Sequence, residues 1–283
     1  MSLNFTNNDN TKKAQVMSTN TKMELSQDTF VTYQKLIFSH VGISLDDTKK
    51  TLVQSRLYKR LLYYNLTSYA DYLRIVQVNN SEKMEMINLI TTNETYFFRE
   101  EIHFDFLSKT AKHSKGKFRV WSAAASIGAE AYTIAMVLND ILQKDKWEIV
   151  ASDINTDVIK KARMGLYPEG WLRKIPYKYV KKYCLKGTGK FEKQFLIDRE
   201  LNKNITFDID NLMIDNNTFG LFDIIFLRNV LIYFNEDTKK IVIENLIRHL
   251  KDGGYLIISL TESLQHLGIS ALKQTRSSIY KKI

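Results

Sequence analysis

The chain has 283 residues, 44% hydrophobic and 25% charged, the balance of a globular protein that buries a sizeable core in one large domain or two smaller ones. No apolar run reaches membrane-spanning length and no apolar signal core opens the chain, so a cytoplasmic protein is expected. Cys184 is the only cysteine, which excludes an intramolecular disulfide, and the five histidines lack metal-ligand spacing. The net charge of +10 favours an acidic partner: nucleic acid, an anionic membrane surface or an acidic protein.

Residues 1–28 are rich in Asn, Thr, Ser and Lys and read as a disordered leader. From Thr29 the pattern changes. Phe30, Tyr33, Leu36, Ile37 and Val41 recur at helical spacing, and Gly42 ends the segment. A second helix is expected over about 46–64, with Leu52, Val53, Leu57, Leu61 and Leu62 on an apolar stripe. Arg56, Lys59 and Arg60 fall on its other faces, either as a contact for an acidic partner or as a solvated surface. Shorter helices follow over 68–76 and 81–90. Together, residues 29–90 form a small helical unit that needs a neighbour to dock on.

At Thr91 the chain becomes chemically dense, TTNETYFFRE. Arg99 offers paired N–H donors for a carboxylate, and Asn93 and Thr95 offer hydrogen bonds from a turn. Phe118–Tyr132, FRVWSAAASIGAEAY, then reads as strand, tight loop and helix start. Small residues at 122–126, Ala124 among them, and Gly128 let backbone N–H groups approach a nucleotide-like ligand. A second buried run ends at Asp153, where a carboxylate at a parallel strand tip commonly takes ribose hydroxyls. Asn155 or Thr156 caps the next helix and Gly165 ends it, before an irregular stretch with Pro168, Gly170 and Pro176.

Residues 183–207 break the α/β rhythm and read as short antiparallel strands. These are 183–185, 194–197 and 205–207, with Gly187 and Gly189 at a hairpin tip whose exposed sheet edge suits an added peptide strand. Phe222–Phe226 is expected as a buried parallel strand, with Arg228, Asn229 and Tyr233 just past its C-terminal end. Asn235 caps a helix that Gly253 and Gly254 stop before a last strand over 255–260.

Four blocks in order, TTNETYFFRE, VWSAAASIGAEAY, ASDI…KARMGLYP and FDIIFLRNVLIYF with GGYL…ESL, resemble the CheR-type chemotaxis receptor (protein-glutamate O-) methyltransferase family over about residues 29–283. The resemblance implies an all-helical N-terminal domain over 29–90. It implies an α/β, Rossmann-like S-adenosylmethionine-binding domain over 91–283, with a small antiparallel β-subdomain inserted at about 183–207. It also implies that Asn93, Thr95, Arg99, Ala124, Glu130, Asp153, Asn211, Leu212, Arg228 and Asn229 bind the cofactor, released as S-adenosylhomocysteine, and that Arg99 and Tyr233 serve catalysis.

By the same resemblance, Arg56, Lys59 and Arg60 face acidic receptor helices, and the loop with Gly187 and Gly189 meets a receptor's C-terminal pentapeptide. The family's Gly-Glu-Glu-Pro is Gly-Ala-Glu-Ala here, with Ala129 and Ala131 in place of Glu and Pro, and Ile127 stands in place of Thr. SLTESL departs from the usual Gly-His-Ser-Glu-Ser. Two alternatives stand beside this: the altered Gly-Ala-Glu-Ala loop suits a catalytically silent receptor-binding module, and the shared cofactor fold with the +10 charge suits a methyltransferase acting on another substrate, nucleic acid or a small molecule.

Overall fold

The computed structural model describes residues 23–215 and 217–283. Most of the expected leader lies outside these residues. Its described end is not loose: Leu25 is fully buried in the helical core, and Ser26 caps α1 (Gln27–Val41) by accepting a hydrogen bond from the Thr29 N–H. Helix α1 closes at Gly42 in the left-handed region, whose N–H reaches the Phe38 carbonyl. A short 3₁₀ turn at Asp47–Lys49 precedes α2 (Lys50–Tyr63), so the expected second helix starts later than its sequence pattern suggested. Then come α3 (Tyr69–Val78) and α4 (Asn80–Ile90), capped by Ser68 and Asn79.

The second part begins with α5 (Ile102–Ala111), a helix the sequence reading did not anticipate. It continues with β1 (Phe118–Ala123), α6 (Ala129–Ile141), β2 (Trp147–Asp153), α7 (Thr156–Met164) and β3 (Leu166–Pro168). Next are α8 (Tyr177–Tyr183), β4 (Cys184–Lys186), β5 (Gln194–Ile197), α9 (Arg199–Asn202) and β6 (Ile205–Ile209). The chain ends with β7 (Phe222–Leu227), α10 (Glu236–Arg248), β8 (Leu250–Ile258), β9 (Leu272–Arg276) and β10 (Ile279–Lys282).

Seven strands form one sheet in the order β6-β2-β1-β7-β8-β10-β9, all running the same way except β10, which is antiparallel to both β8 and β9. Period-two alternation divides its side chains. Val120, Ile149 and Ile224 pack with α5 and α6, while Trp121, Val150 and Ile225 pack with α10. The helical domain keeps a separate core around Phe30, Tyr33, Leu57 and Tyr72. Among the described residues no helix is long and apolar enough to cross a membrane.

Two strand expectations need correction. Residues 205–207 belong to β6, which pairs parallel to β2 in the main sheet rather than joining the antiparallel excursion. The small sheet is β3-β5-β4, so Leu166–Pro168 supplies one of its strands where Tyr167-Pro168 was expected to open an irregular stretch. A short apolar run carries no information about which partner it pairs with. Gly253 and Gly254 do not stop α10, which ends at Arg248. They lie within β8 where its register against β7 shifts, and a Cβ on Gly254 would sit 2.8 Å from the Lys251 carbonyl.

The two domains are tied together at several points. Ile43 bridges Phe234, and the Ser44 N–H donates to the Tyr233 carbonyl. Asn88 exchanges hydrogen bonds with the Thr156 side chain and backbone, and Asn155 donates to the Asn88 carbonyl and to Thr91 Oγ1. Gly42 is pressed so closely against Met213 and Thr238 that a Cβ there would sit 2.7 Å from each. The C-terminal edge of the parallel sheet thus faces a wall made by the helical domain.

Candidate active site

Between that wall and the sheet edge lies a cleft of about 420 Å³. Every residue expected to bind the cofactor or act in catalysis lines it: Asn93, Thr95, Arg99, Ala124, Glu130, Asp153, Asn211, Leu212, Arg228, Asn229 and Tyr233.

The floor is the loop after β1. Ala124, Ser126 and Gly128 all have positive φ, a conformation that costs the two non-glycine residues about 1–3 kcal/mol each and persists only where neighbours fix it. Here they do. The Ala125 N–H donates to the Ser152 carbonyl, the Ser126 N–H to Asp153 Oδ2 (2.8 Å), and Ser126 Oγ to the Asn93 carbonyl. A Cβ on Gly128 would lie 2.9 Å from Ala162 Cβ, so α6 starts there because only glycine fits.

Asp153 is buried, and its carboxylate accepts N–H groups from Ser126 and Asn155. Burial pushes its pKa above the ordinary carboxylate value, against the pull of those backbone donors. Its position at the tip of β2 fits it to accept the hydroxyls of a ribose.

The departures at 129 and 131 do not reach the cleft. Ala129 and Ala131 are fully buried in the core beneath α6, and Ile127 packs on the same core while its carbonyl accepts the Tyr167 hydroxyl. Glu130 is the residue that turns toward the cavity, held by Ser122 Oγ at 2.6 Å and Arg228 Nη1 at 2.7 Å.

Arg228 is buried between two carboxylates, Glu130 and Glu100 (3.2 Å), and also donates to the Arg99 carbonyl. Burial works against the Glu100 carboxylate, but Arg228, Ser259 and the Leu260 N–H outweigh it and hold its pKa below the ordinary value. Behind them, burial and the nearby Arg228 charge depress His103 to about 4, so it stands neutral beside Glu100 and meets Ser278 Oγ at 2.7 Å. Cys184 lies outside the cleft, and burial pushes its thiol up to about 12, which removes it as a nucleophile.

The linker that carries Arg99 is held by its aromatic residues. Phe97 packs edge-on against Tyr167 and Trp171 and near Phe195, and Phe98 stacks on Tyr179. The small antiparallel sheet therefore buttresses the linker. Arg99 is half-buried at the cleft edge, its guanidinium 5.6 Å from the Tyr96 ring and its Nη1 near the Glu94 carbonyl. That leaves most of its donors available to a ligand carboxylate. Asn211 also ties the domains together, donating to the His40 carbonyl at 2.7 Å.

The basic face of α2 differs from its expected form. Arg60 forms a two-point ion pair with Glu82 (2.7 and 2.6 Å), and Arg56 donates to the carbonyls of Ile90 and Thr91 and to Thr92 Oγ1. Both arginines are spent inside the protein because α2 packs against α4 and the linker; Lys59 alone of the three is exposed. Gly187 and Gly189 do sit between β4 and β5. Gly187 would place a Cβ 2.1 Å from the Phe191 carbonyl, so the turn requires glycine whatever it binds.

Sequence reasoning missed the cleft wall formed by Ile43, Leu45, Asp46, Lys49 and Leu52, which reaches the site only through domain docking. It also missed Glu262, which accepts the N–H groups of Ser259, Asn229 and Leu231.

A parallel sheet with a small-residue loop after its first strand, an acid at the tip of the second and a cleft at the strand C-termini defines a nucleoside-binding α/β enzyme. The all-alpha domain of the CheR methyltransferases matches residues 28–91, and their S-adenosylmethionine-binding domain matches residues 93–279. The chain is 38% identical over 251 residues to a chemotaxis protein methyltransferase of Escherichia coli, spanning 87% of this chain and 88% of that one. It is 37% identical to one of Salmonella typhimurium (87% of each chain) and 34% identical over 279 residues to one of Borreliella burgdorferi (93% and 97%). The chain belongs to the CheR methyltransferase family, and its cofactor is S-adenosylmethionine.

Proposed function

We propose that the protein methylates glutamate side-chain carboxylates of methyl-accepting chemotaxis receptors, giving glutamate methyl esters in sensory adaptation. The observation that carries this reading is Arg99 at the cleft edge with donors to spare, fixed in place by strained backbone on both sides and facing a cavity that Asp153 and Glu130 also line.

S-adenosylmethionine supplies a methyl group on a sulfonium, a strong electrophile that leaves as the neutral thioether of S-adenosylhomocysteine. A glutamate with a pKa of about 4.3 is already ionised near neutral pH, so its oxygen attacks without a general base. Nothing in the cleft needs to take a proton. The chain's own contribution is placement. Asp153 and Glu130 hold the cofactor end, Arg99 orients a carboxylate, Tyr233 shapes the mouth, and the Ile43–Leu52 wall keeps water from the reacting atoms.

An acidic helical region of the receptor is the partner that suits the charge. Residues 169–193, which include α8 and the β4–β5 turn, carry eight basic residues against two glutamates and add to Lys59 of α2. A receptor C-terminal pentapeptide adding to the β4 edge is the finer form of the same proposal. The silent-module alternative drew on Ala129, and Ala129 lies in the core away from the cleft, which removes its motive.

The test is transfer of radiolabel from S-adenosylmethionine to receptor-containing membranes, followed by mild alkali. Label released as methanol supports a carboxyl ester. Alkali-stable label, as on nitrogen, contradicts it.

A further inference from the structure

Arg99 and Arg228 reach the cleft from different parts of the chain, and each is followed by a residue in a conformation that side chains rarely adopt. Glu100 has φ 58° and Asn229 has φ 59°. Strain of this kind survives only where the surroundings over-determine it. Both side chains end on one atom, Ser259 Oγ, which donates to Glu100 Oε1 at 2.8 Å and accepts from Asn229 Nδ2 at 2.8 Å. A hydroxyl has one proton to give and room to accept, so it can satisfy both partners at once. Ser259 is fully buried just past the end of β8, where the sequence departs from the family's usual Gly-His-Ser-Glu-Ser.

The neighbouring contacts strengthen the junction. The Leu260 N–H donates to Glu100 Oε2 at 3.1 Å, and Glu262 accepts the N–H groups of Asn229 (3.2 Å) and Leu231 (3.0 Å). Arg228 closes the circle through Glu100 and the Arg99 carbonyl. The segment 259–262 thus grips both cleft loops, and Ser259 is where the two grips meet.

We infer that Ser259 is a positioning residue, its hydroxyl joining the strained Glu100 and Asn229 so that Arg228 and the backbone of the 96–101 linker hold the geometry the cofactor needs. The inference rests on the cleft being the cofactor site. It does not depend on which protein receives the methyl group.

The test uses the full chain as wild type, Ser259→Ala, Glu100→Gln and the double variant, with Ile243→Val in the α10 core as a stability control. Affinity for S-adenosylhomocysteine is measured by calorimetry, and hydrogen exchange over 96–101 is followed without ligand. Ser259→Ala should weaken binding about tenfold, Glu100→Gln, which also breaks the ion pair to Arg228, by at least as much, and the double change by less than the product of the two, because both loosen the same junction. Exchange over 96–101 should rise in each, while Ile243→Val lowers the melting temperature with affinity intact. Unchanged affinity and exchange in Ser259→Ala, with only the stability loss seen in Ile243→Val, would overturn the inference, as would fully additive losses. If the wild type bound no S-adenosylhomocysteine, the cofactor reading would fall instead, and exchange over 96–101 would still decide whether Ser259 links the loops.

Discussion

Arg99 lines the cleft, whereas Ala129 lies in the core away from it. Arg99 has a side chain free to act and a backbone that is not. Removing the guanidinium should therefore spare the cleft and damage the reaction. Arg99→Ala is expected to lower turnover on receptor about a hundredfold while S-adenosylhomocysteine affinity changes less than about threefold, the signature of lost orientation. Equal losses in both, measured by single-turnover labelling and calorimetry, would make Arg99 a plain cofactor ligand.

Ala129 is the opposite case. Its side chain is fully buried beneath α6, and the family's acid at that position would meet this chain's apolar core. Ala129→Glu should destabilise the protein by about 2 kcal/mol or more in urea unfolding without tightening cofactor binding. A gain in affinity would show that the departure matters to the site.

Among the elements, α2 is the one whose role the structure changes most. Arg56 and Arg60 read from the sequence as part of an outward basic face, because helical spacing gives a direction but not a partner. The partners, Glu82 and the linker carbonyls, arrive by packing from more than twenty residues away. Lys59→Glu is expected to slow receptor methylation in a salt-dependent way, with cofactor affinity unchanged. Arg56→Ala, which frees the linker, should weaken cofactor binding at any salt. If both variants behaved alike, receptor charge and linker anchoring would not be separable on this helix.

Glu82 supplies a pH signature for the same region. Burial raises its pKa, but hydrogen bonds from Arg60, Tyr72 and Tyr64 outweigh it, and the net shift is downward. A carboxylate lowered on folding contributes stability above its unfolded pKa and loses it as pH falls through the folded value. Melting temperature should therefore drop as pH falls below about 4.3. Glu82→Gln should cost about 3 kcal/mol at neutral pH and flatten that acid limb. An unchanged acid limb would assign it to other carboxylates.

At the scale of the whole molecule, the parts legible in sequence were the local ones. Gly128, Asp153 and the 228–233 segment declared themselves because a strand, a tight turn and a helix cap are written within a few residues. The direction of β6, the pairing of β3 and the helical wall over the cleft were not legible, since each depends on which distant segment supplies the partner. Strand β9 was not legible because Lys273, Gln274, Thr275 and Arg276 sit on an exposed edge and lack the apolar alternation that marks a buried strand, and β10 offers only the adjacent buried pair Ile279 and Tyr280. Ser259 and Glu262 escaped notice because their chemistry is to hold other residues, and only the folded arrangement shows whom they hold.

If one cleft between the two domains receives the cofactor, ligand should protect all of its lining segments together. Hydrogen exchange of the full chain with and without S-adenosylhomocysteine tests it directly. Protection is expected over 93–99, 122–128, 153–155, 210–212 and 228–233, segments far apart in sequence that line this one cavity. Protection confined to 110–118 and 251–255, which line a shallower depression elsewhere on the surface, would contradict the account.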